Sequence, residues 1–205
     1  MANGRVAVGF SAPVVGLYSA AGGTVTYTAG KGMRLARGVS VALNLQLADN
    51  NDFYADNVRA ESEGGTFTGG TATLTVDGLL PTAERFVMGL PEPTEVSYGA
   101  SQKIMVDKYG DNVNAPYVGV GYVVEYLSGG VHTWEPTILR KGKFQQPTTE
   151  ATTKGETTDY QTQALTVDLS RDDTATHDWK WVGEAQTSEA AAIAILEGLL
   201  GVGEA

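Results

Sequence analysis

Two histidines, His132 and His177, are the only imidazoles in the chain, and there is no cysteine. Without a thiol there is no disulfide, no thiolate nucleophile and no mixed nitrogen–sulfur zinc site. His132 lies in VHTWE, next to Val131 and near Trp134, and reads as an ordinary strand histidine. His177 lies in the Asp-rich stretch RDDTATHD and reads as a solvated loop residue. A Ser-His-Asp triad would have to use one of these two, and no nucleophile-elbow sequence surrounds any serine.

The oxygen donors are more numerous. Asp49-Asn50-Asn51-Asp52, with Asp56 nearby, has the ligand types that calcium accepts. The EF-hand order fails, because Phe53 and Tyr54 stand where Asx and Gly are needed. These residues read as turn formers, and so do Asp172, Asp173 and Asp178. Gly30-Lys31-Gly32 has the outline of a phosphate loop. However, Val25 stands at the first glycine position and Gly32 at the Ser/Thr position that would hold magnesium. Glu125, Glu135, Glu150 and Glu156 could pair as glycosidase carboxylates only in space, and nothing local brings them together. Trp134, Trp179 and Trp181 could line a sugar-binding face, with Trp179 and Trp181 on one strand face by spacing. Packing is the commoner use of such residues. No catalytic residue, cofactor or metal ligand is assigned, and the chain is read as a non-enzyme.

The elements that would position these residues are mostly strands. The chain has 205 residues with 42% apolar and 19% charged content, which suits one folded domain. Gly is abundant at 26 residues, and Thr-rich segments alternate with Gly-rich connections. The net charge of −10 repels a phosphate backbone and argues against sequence-reading DNA binding. The N-terminal apolar stretch is broken by Gly9, Ser11 and Pro13, so it reads as an arm or strand rather than a signal peptide. No run reaches the roughly 18 apolar residues of a membrane helix.

Val6–Tyr18 reads as an extended arm leading into a strand, with Pro13 suggesting an edge position. Thr24–Thr28 and Arg37–Leu47 alternate, the second with Val39, Val41, Leu43, Leu45 and Leu47 on one face. Ala48–Ala55 breaks the pattern as a turn. Phe53–Glu61 and Thr66–Val76 follow as strands, with Gly69-Gly70 marking a bulge or close approach. Pro81–Met88 is a short helix that Gly89 stops. Pro91–Tyr98 reads as a loop and Gln102–Tyr109 as a short strand.

Pro116–Ser170 carries three extended segments joined by Ser128-Gly129-Gly130 and by the polar, Thr-rich loop Gln145–Thr158. Trp179–Val182 is a last short strand. Ser188–Leu200 is a helix with Thr187 or Ser188 as N-cap, an apolar stripe at Ile193, Leu196 and Leu200, and Gly201 as its stop. The expectation is a mainly β, antiparallel β-sandwich or barrel-like domain over residues 1–205. It has an N-terminal arm over about 1–12, a short helix near 81–89 and a C-terminal helix near 188–200.

The sequence resembles the major tail proteins of long-tailed siphophages, of the phi13-type major tail protein family. The similarity lies in PVVGLY (Pro13–Tyr18) with TVTYT (Thr24–Thr28), and in ADNNDFYADNVRAE (Ala48–Glu61) followed by FTGGTATLTVD (Phe67–Asp77). It continues in PYVGVG (Pro116–Gly121), LRKGKFQQPTTEATTKG (Leu139–Gly155) with YQTQAL (Tyr160–Leu165), and the closing helix Ser188–Leu200. It spans about Pro13 to Leu200, and the order of the segments and the total length carry it. The sequence departs from some tail proteins after that helix, where no immunoglobulin-like segment is added.

The resemblance implies a virion structural protein that forms rings with copies of itself, typically hexameric. The rings stack into a tail tube that conducts DNA without sequence-specific binding, and the tube is assembled in the host cytoplasm. It implies further partners at the tube, such as the tape measure and tail terminator proteins, and no membrane insertion. The residues expected at the contacts between subunits are Asp49, Asn50, Asn51, Asp52, Phe53 and Tyr54, and Gln145, Gln146, Thr148, Thr149 and Lys154. The alternative function is a carbohydrate- or surface-binding β-sandwich module.

Overall fold

The computed structural model describes residues 4–111, 113–147, 153 and 161–203. The protein is mainly β, with antiparallel sheets and two helices. The strands are β1 (Val6–Ala21), β2 (Thr24–Tyr27), β3 (Met33–Arg34), β4 (Gly38–Leu47), β5 (Asn51–Ala55), β6 (Val58–Glu63) and β7 (Phe67–Val76). After α1 (Pro81–Met88) come β8 (Thr94–Tyr98), β9 (Gln102–Val106), β10 (Tyr117–Ser128), β11 (Val131–Phe144), β12 (Gln163–Ser170), β13 (Lys180–Val182) and α2 (Glu189–Leu200).

The main sheet runs β2-β1-β10-β11-β12-β7-β4, with β3 beside β1 and β13 beside β11. The expected three-strand stretch is its centre: β10 and β11 pair from Tyr117↔Lys143 to Ser128↔Val131, and β12 joins at the end of β11. The sheet curls until β4 lies beside β1, where the Phe10 ring sits against Gly38. Inside the curl, Val15, Leu74, Val118, Val120, Leu139, Leu165 and Val167 form the main core, and α1 adds Ala83, Val87 and Met88. On the outer side of β1, β10 and β11, Val14, Val123 and Ile138 meet Ala192, Leu196 and Leu200 of α2. Alternation along the central strands thus feeds two cores, one on each face.

The helix ends follow their expected chemistry. Pro81 opens α1, and Gly89 closes it with φ +64°. The Ser188 hydroxyl oxygen accepts the Ala191 N–H at 3.3 Å, and Gly201 ends α2 with φ +66°. The C-terminal end of α2 rests directly on backbone. A Cβ placed at Gly16 would stand 2.3 Å from the Leu200 carbonyl oxygen, and one at Gly32 would stand 2.5 Å from it. A Cβ at Gly121 would stand 2.6 Å from a Leu200 methyl. Only glycine leaves room for this approach.

Several expectations are corrected. Ala48–Ala55 is not a turn: Asn51–Ala55 is a strand paired with β6. The single expected strand Phe53–Glu61 is broken in its middle, because Asp56 and Asn57 take φ +49° and +64° and reverse the chain. Asp and Asn tolerate this left-handed geometry, and a two-residue turn of this kind matches strand twist. Pro91–Tyr98 is not all loop, since Thr94–Tyr98 pairs with β9 around Gly99. Pro13 sits at a break in the β1–β10 register between Ser11 and Val14, next to Ala12 at φ +50°. At Gly69-Gly70 both expected features occur. The register shifts beside Gly69, and a Cβ at Gly70 would stand 2.5 Å from the Asn44 carbonyl oxygen.

Candidate assembly surfaces

The tract that carries Asp49–Tyr54 leaves the sheet altogether. β5 and β6 pair only with each other, as a two-stranded ribbon between the end of β4 and the start of β7. Phe53, Tyr54 and Val58 are 63%, 62% and 66% exposed, which leaves the ribbon without an apolar cover. Two strands alone are marginal in water. Residues 49–63 carry five acids against one base, Arg59, which reaches Asp52 at 3.5 Å. The uncovered apolar surface continues into β4, where Leu45 and Leu47 are also exposed.

Gln145 and Gln146 stand elsewhere. β7 runs from Phe67, next to the ribbon, to Val76, which pairs with Gln163. Beyond Val76 lies an open, polar hollow lined by Asp77, Glu84, Gln145, Gln146 and Gln163. The two expected contact groups are therefore separated along one strand: the ribbon adjoins Phe67, whereas Gln145 bonds Thr166, the partner of Thr73, about 20 Å further along at ~3.3 Å per residue. Gln145 is tied to its own sheet: its N–H donates to the Thr166 carbonyl at 2.9 Å, and its side-chain amide donates to Asp168 at 2.8 Å. Thr148, Thr149 and Lys154 lie outside the described residues.

The lateral edges are open as well. Among the described residues, β4 pairs with β7 on one side and with no strand on the other, although β1 lies close to it, with Phe10 against Gly38. Its sequence, GVSVALNLQL, has neither charge nor proline to discourage pairing. The first half of β1, from Val6 to Ser11, is paired to β10 alone and is likewise uncharged.

The polar interior is structural. Arg140 and Asp172 are each 2% exposed and pair at 2.9 and 3.0 Å. The other Asp172 oxygen accepts the Thr174 N–H at 3.0 Å and its hydroxyl at 2.6 Å. Burial alone would raise the Asp172 pKa, but the Thr174 hydroxyl and N–H and the Arg140 guanidinium outweigh it and hold the carboxyl below its ordinary range. Asp172 is thus more than a turn former. The signal for it was Arg140 itself, a cation directly after the apolar pair Ile138-Leu139. The Tyr27 hydroxyl donates to the Arg140 carbonyl at 2.7 Å, and burial pushes its pKa up to about 12.

Among the described residues, none of those that could have done chemistry is assembled into a site; Glu150 and Glu156 lie outside the described residues. His132 hydrogen-bonds Glu125 at 2.6 Å, stacks beside Trp134 at 6.3 Å and is exposed. The backbone N–H of His177 donates to the Thr174 carbonyl at 3.1 Å within its own loop. Glu135 is paired with Arg5. No group of three or more His, Asp or Glu with metal-site geometry occurs among the described residues. Trp179 and Trp181 do not share a face, and Trp134 packs with the α2 cluster. Trp179 precedes β13 and stacks on Phe67 of the main core at 4.7 Å, whereas Trp181 lies over the Arg140 guanidinium at 3.5 Å on the α2 side. Among the described residues, no helix is long and apolar enough to cross a membrane. No protein-family model matches the chain, and no curated protein matches it.

Proposed function

We propose that this chain is a structural virion protein that joins copies of itself into rings, stacked as the tail tube of a long-tailed phage. The observation that carries this reading is the separation of the two expected contact groups along β7, with the ribbon at its Phe67 end and the polar hollow that Gln145 and Gln146 line opening beyond Val76. A subunit that stacks head to tail needs one contact surface at each end. The exposed ribbon Asn51–Glu63 supplies a projecting surface at one end, and the hollow around Gln145 and Gln146 lies at the other. The open, uncharged edge of β4 supports lateral joining, because a closed ring removes an edge that would otherwise pair without limit. The net charge of −10 suits a wall that DNA passes without gripping it. The tube ends would meet other tail proteins, such as the tape measure and the terminator.

Negative-stain microscopy of the purified chain across a concentration series tests the reading. Rings or tubes are expected. A strictly monomeric particle at the highest concentration reached would refute it.

A further inference from the structure

β8 and β9 form a second two-stranded ribbon outside the main sheet. Its register, Thr94↔Val106, Val96↔Ile104 and Tyr98↔Gln102, puts Val96, Tyr98 and Ile104 on one face. These are 38%, 52% and 53% exposed, so the apolar face is uncovered. The opposite face holds the Glu95–Lys103 ion pair at 2.7 Å, with exposed Met105 beside it. The ribbon is amphipathic, with no second layer.

Another uncovered apolar surface, besides the β5–β6 ribbon, lies between β13 and the outer side of α2. Pro136, Ile138, Trp181, Val182, Ile195 and Leu199 line a groove of about 190 Å³. Trp181, Val182 and Leu199 are 42%, 52% and 49% exposed. The outer side of α2 continues it through exposed Ala194 and Gly198, and the only charges on that helix are Glu189 and Glu197. A helix apolar on nearly all sides is one that expects cover on both.

We infer that the apolar face of the β8–β9 ribbon seats in the α2–β13 groove of a second copy of this chain. The inference rests on the assembly reading and assigns a contact to it. Charge selects between the two ribbons of the chain. The sequence flanking the groove carries Asp178, Glu184 and Glu189 against Lys180. Residues 49–63, with four more acids than bases, would be repelled there. Residues 94–108 are neutral overall, and exposed Lys108 follows the apolar strand on the ribbon. The contact joins different surfaces of the two copies, so it propagates from one copy to the next and closes only if the rotation between copies permits a ring.

The chain has no cysteine, so two introduced thiols are the only ones present. The Ile104→Cys/Leu199→Cys chain, oxidised after assembly, is expected to give a ladder of disulfide-linked oligomers, because the two Cα atoms would approach within the ~4.4–6.8 Å a disulfide spans. Ile104→Glu and Leu199→Glu are each expected to raise the concentration for half-assembly at least tenfold, about 1.4 kcal/mol. Both positions are exposed in the subunit, and an unchanged melting temperature of the dissociated chain confirms folding. Three results overturn the inference: no ladder with half-assembly shifted less than twofold, cross-linking of Leu199→Cys to itself, or cross-linking instead to Tyr54→Cys. In each of these the parent chain still assembles and the proposed function stands. A parent chain that never assembles removes both.

Discussion

The same chemical change, Gly→Ala, should act in opposite directions at two sites in contact with or within α2. At Gly16 the new methyl would stand 2.3 Å from the Leu200 carbonyl oxygen and 3.0 Å from its carbon, and neither atom belongs to a flexible side chain. Relief requires the end of α2 to lift by most of an ångström. Leu196 and Leu200 are fully buried beneath that end. A gap of that size forfeits about a quarter to a half of their dispersion contact, and overpacking of a tight core costs about 1–3 kcal/mol. We therefore expect Gly16→Ala to destabilise the subunit by about 2–3 kcal/mol, or roughly 4–12 °C for a chain of this size. Gly198 lies on the exposed side of the same helix, where a methyl would meet nothing within 4 Å. There the gain in helix propensity should stabilise by about 0.5–1 kcal/mol. Urea titration followed by circular dichroism, at one protein concentration so that self-association is held constant, measures both. A Gly16→Ala chain as stable as the parent, or the same sign at both sites, would refute the account of α2 resting on strand backbone.

The Arg140–Asp172 pair sets an acid limit. The folded Asp172 pKa is depressed, so its contribution is fully present above the ordinary carboxylate value near 4 and is lost as pH falls through the lower folded value. Asp172→Asn should remove that part of the pH dependence and, by leaving Arg140 buried without a counter-charge, cost about 3–5 kcal/mol at pH 7. A stability profile between pH 2 and 7 that is parallel to the parent's would contradict this. At the ribbon turn, Asn57→Val places a β-branched residue at φ +64°. Faster amide exchange confined to residues 51–63, with unchanged global unfolding, is expected; slower exchange in β4 or β7 would contradict a ribbon independent of the sheet.

What was legible in the sequence was period two. Val39 to Leu47 alternates without interruption, Tyr117 to Leu127 carries apolar residues on both faces, and both are strands. The caps were legible for the same reason: Pro81, Gly89, Ser188 and Gly201 each satisfy or terminate a helix end by local chemistry. The ribbons were not. In Ala48–Ala55 the composition of a turn, Asp and Asn, sits in residues that pair as a strand, and the true reversal is two residues wide. Alternation cannot reveal that β4 buries Val41 and Leu43 only in part and leaves Leu45 uncovered, because the curl of the sheet decides it. Nor can spacing place Trp179 and Trp181 on separate sides, since the first stands before the strand begins. Of the expected contact residues, Phe53 and Tyr54 are exposed at one end and Gln145 is bound into β12. The separation of the two groups depended on strand order, which local pattern does not contain.

The pairing of the first strand with a late one also orders events in time. Val6 pairs with Leu127, so the first half of β1, Val6–Ser11, has no native strand partner until most of the chain exists, although its second half can pair early with β2 and β3. Such long-range pairing is slow, because loop closure must precede any reward. During synthesis the emerging segment Gly38–Leu47 can find β7 early, since only the β5–β6 ribbon separates them in sequence. Its uncharged outer edge would then be exposed before the β1 side of the curl has formed. The interval between those two steps is when a newly made chain is most open to pairing with the wrong neighbour. A cell making many copies at once would therefore have its yield of competent subunits set by the speed at which β10 captures β1.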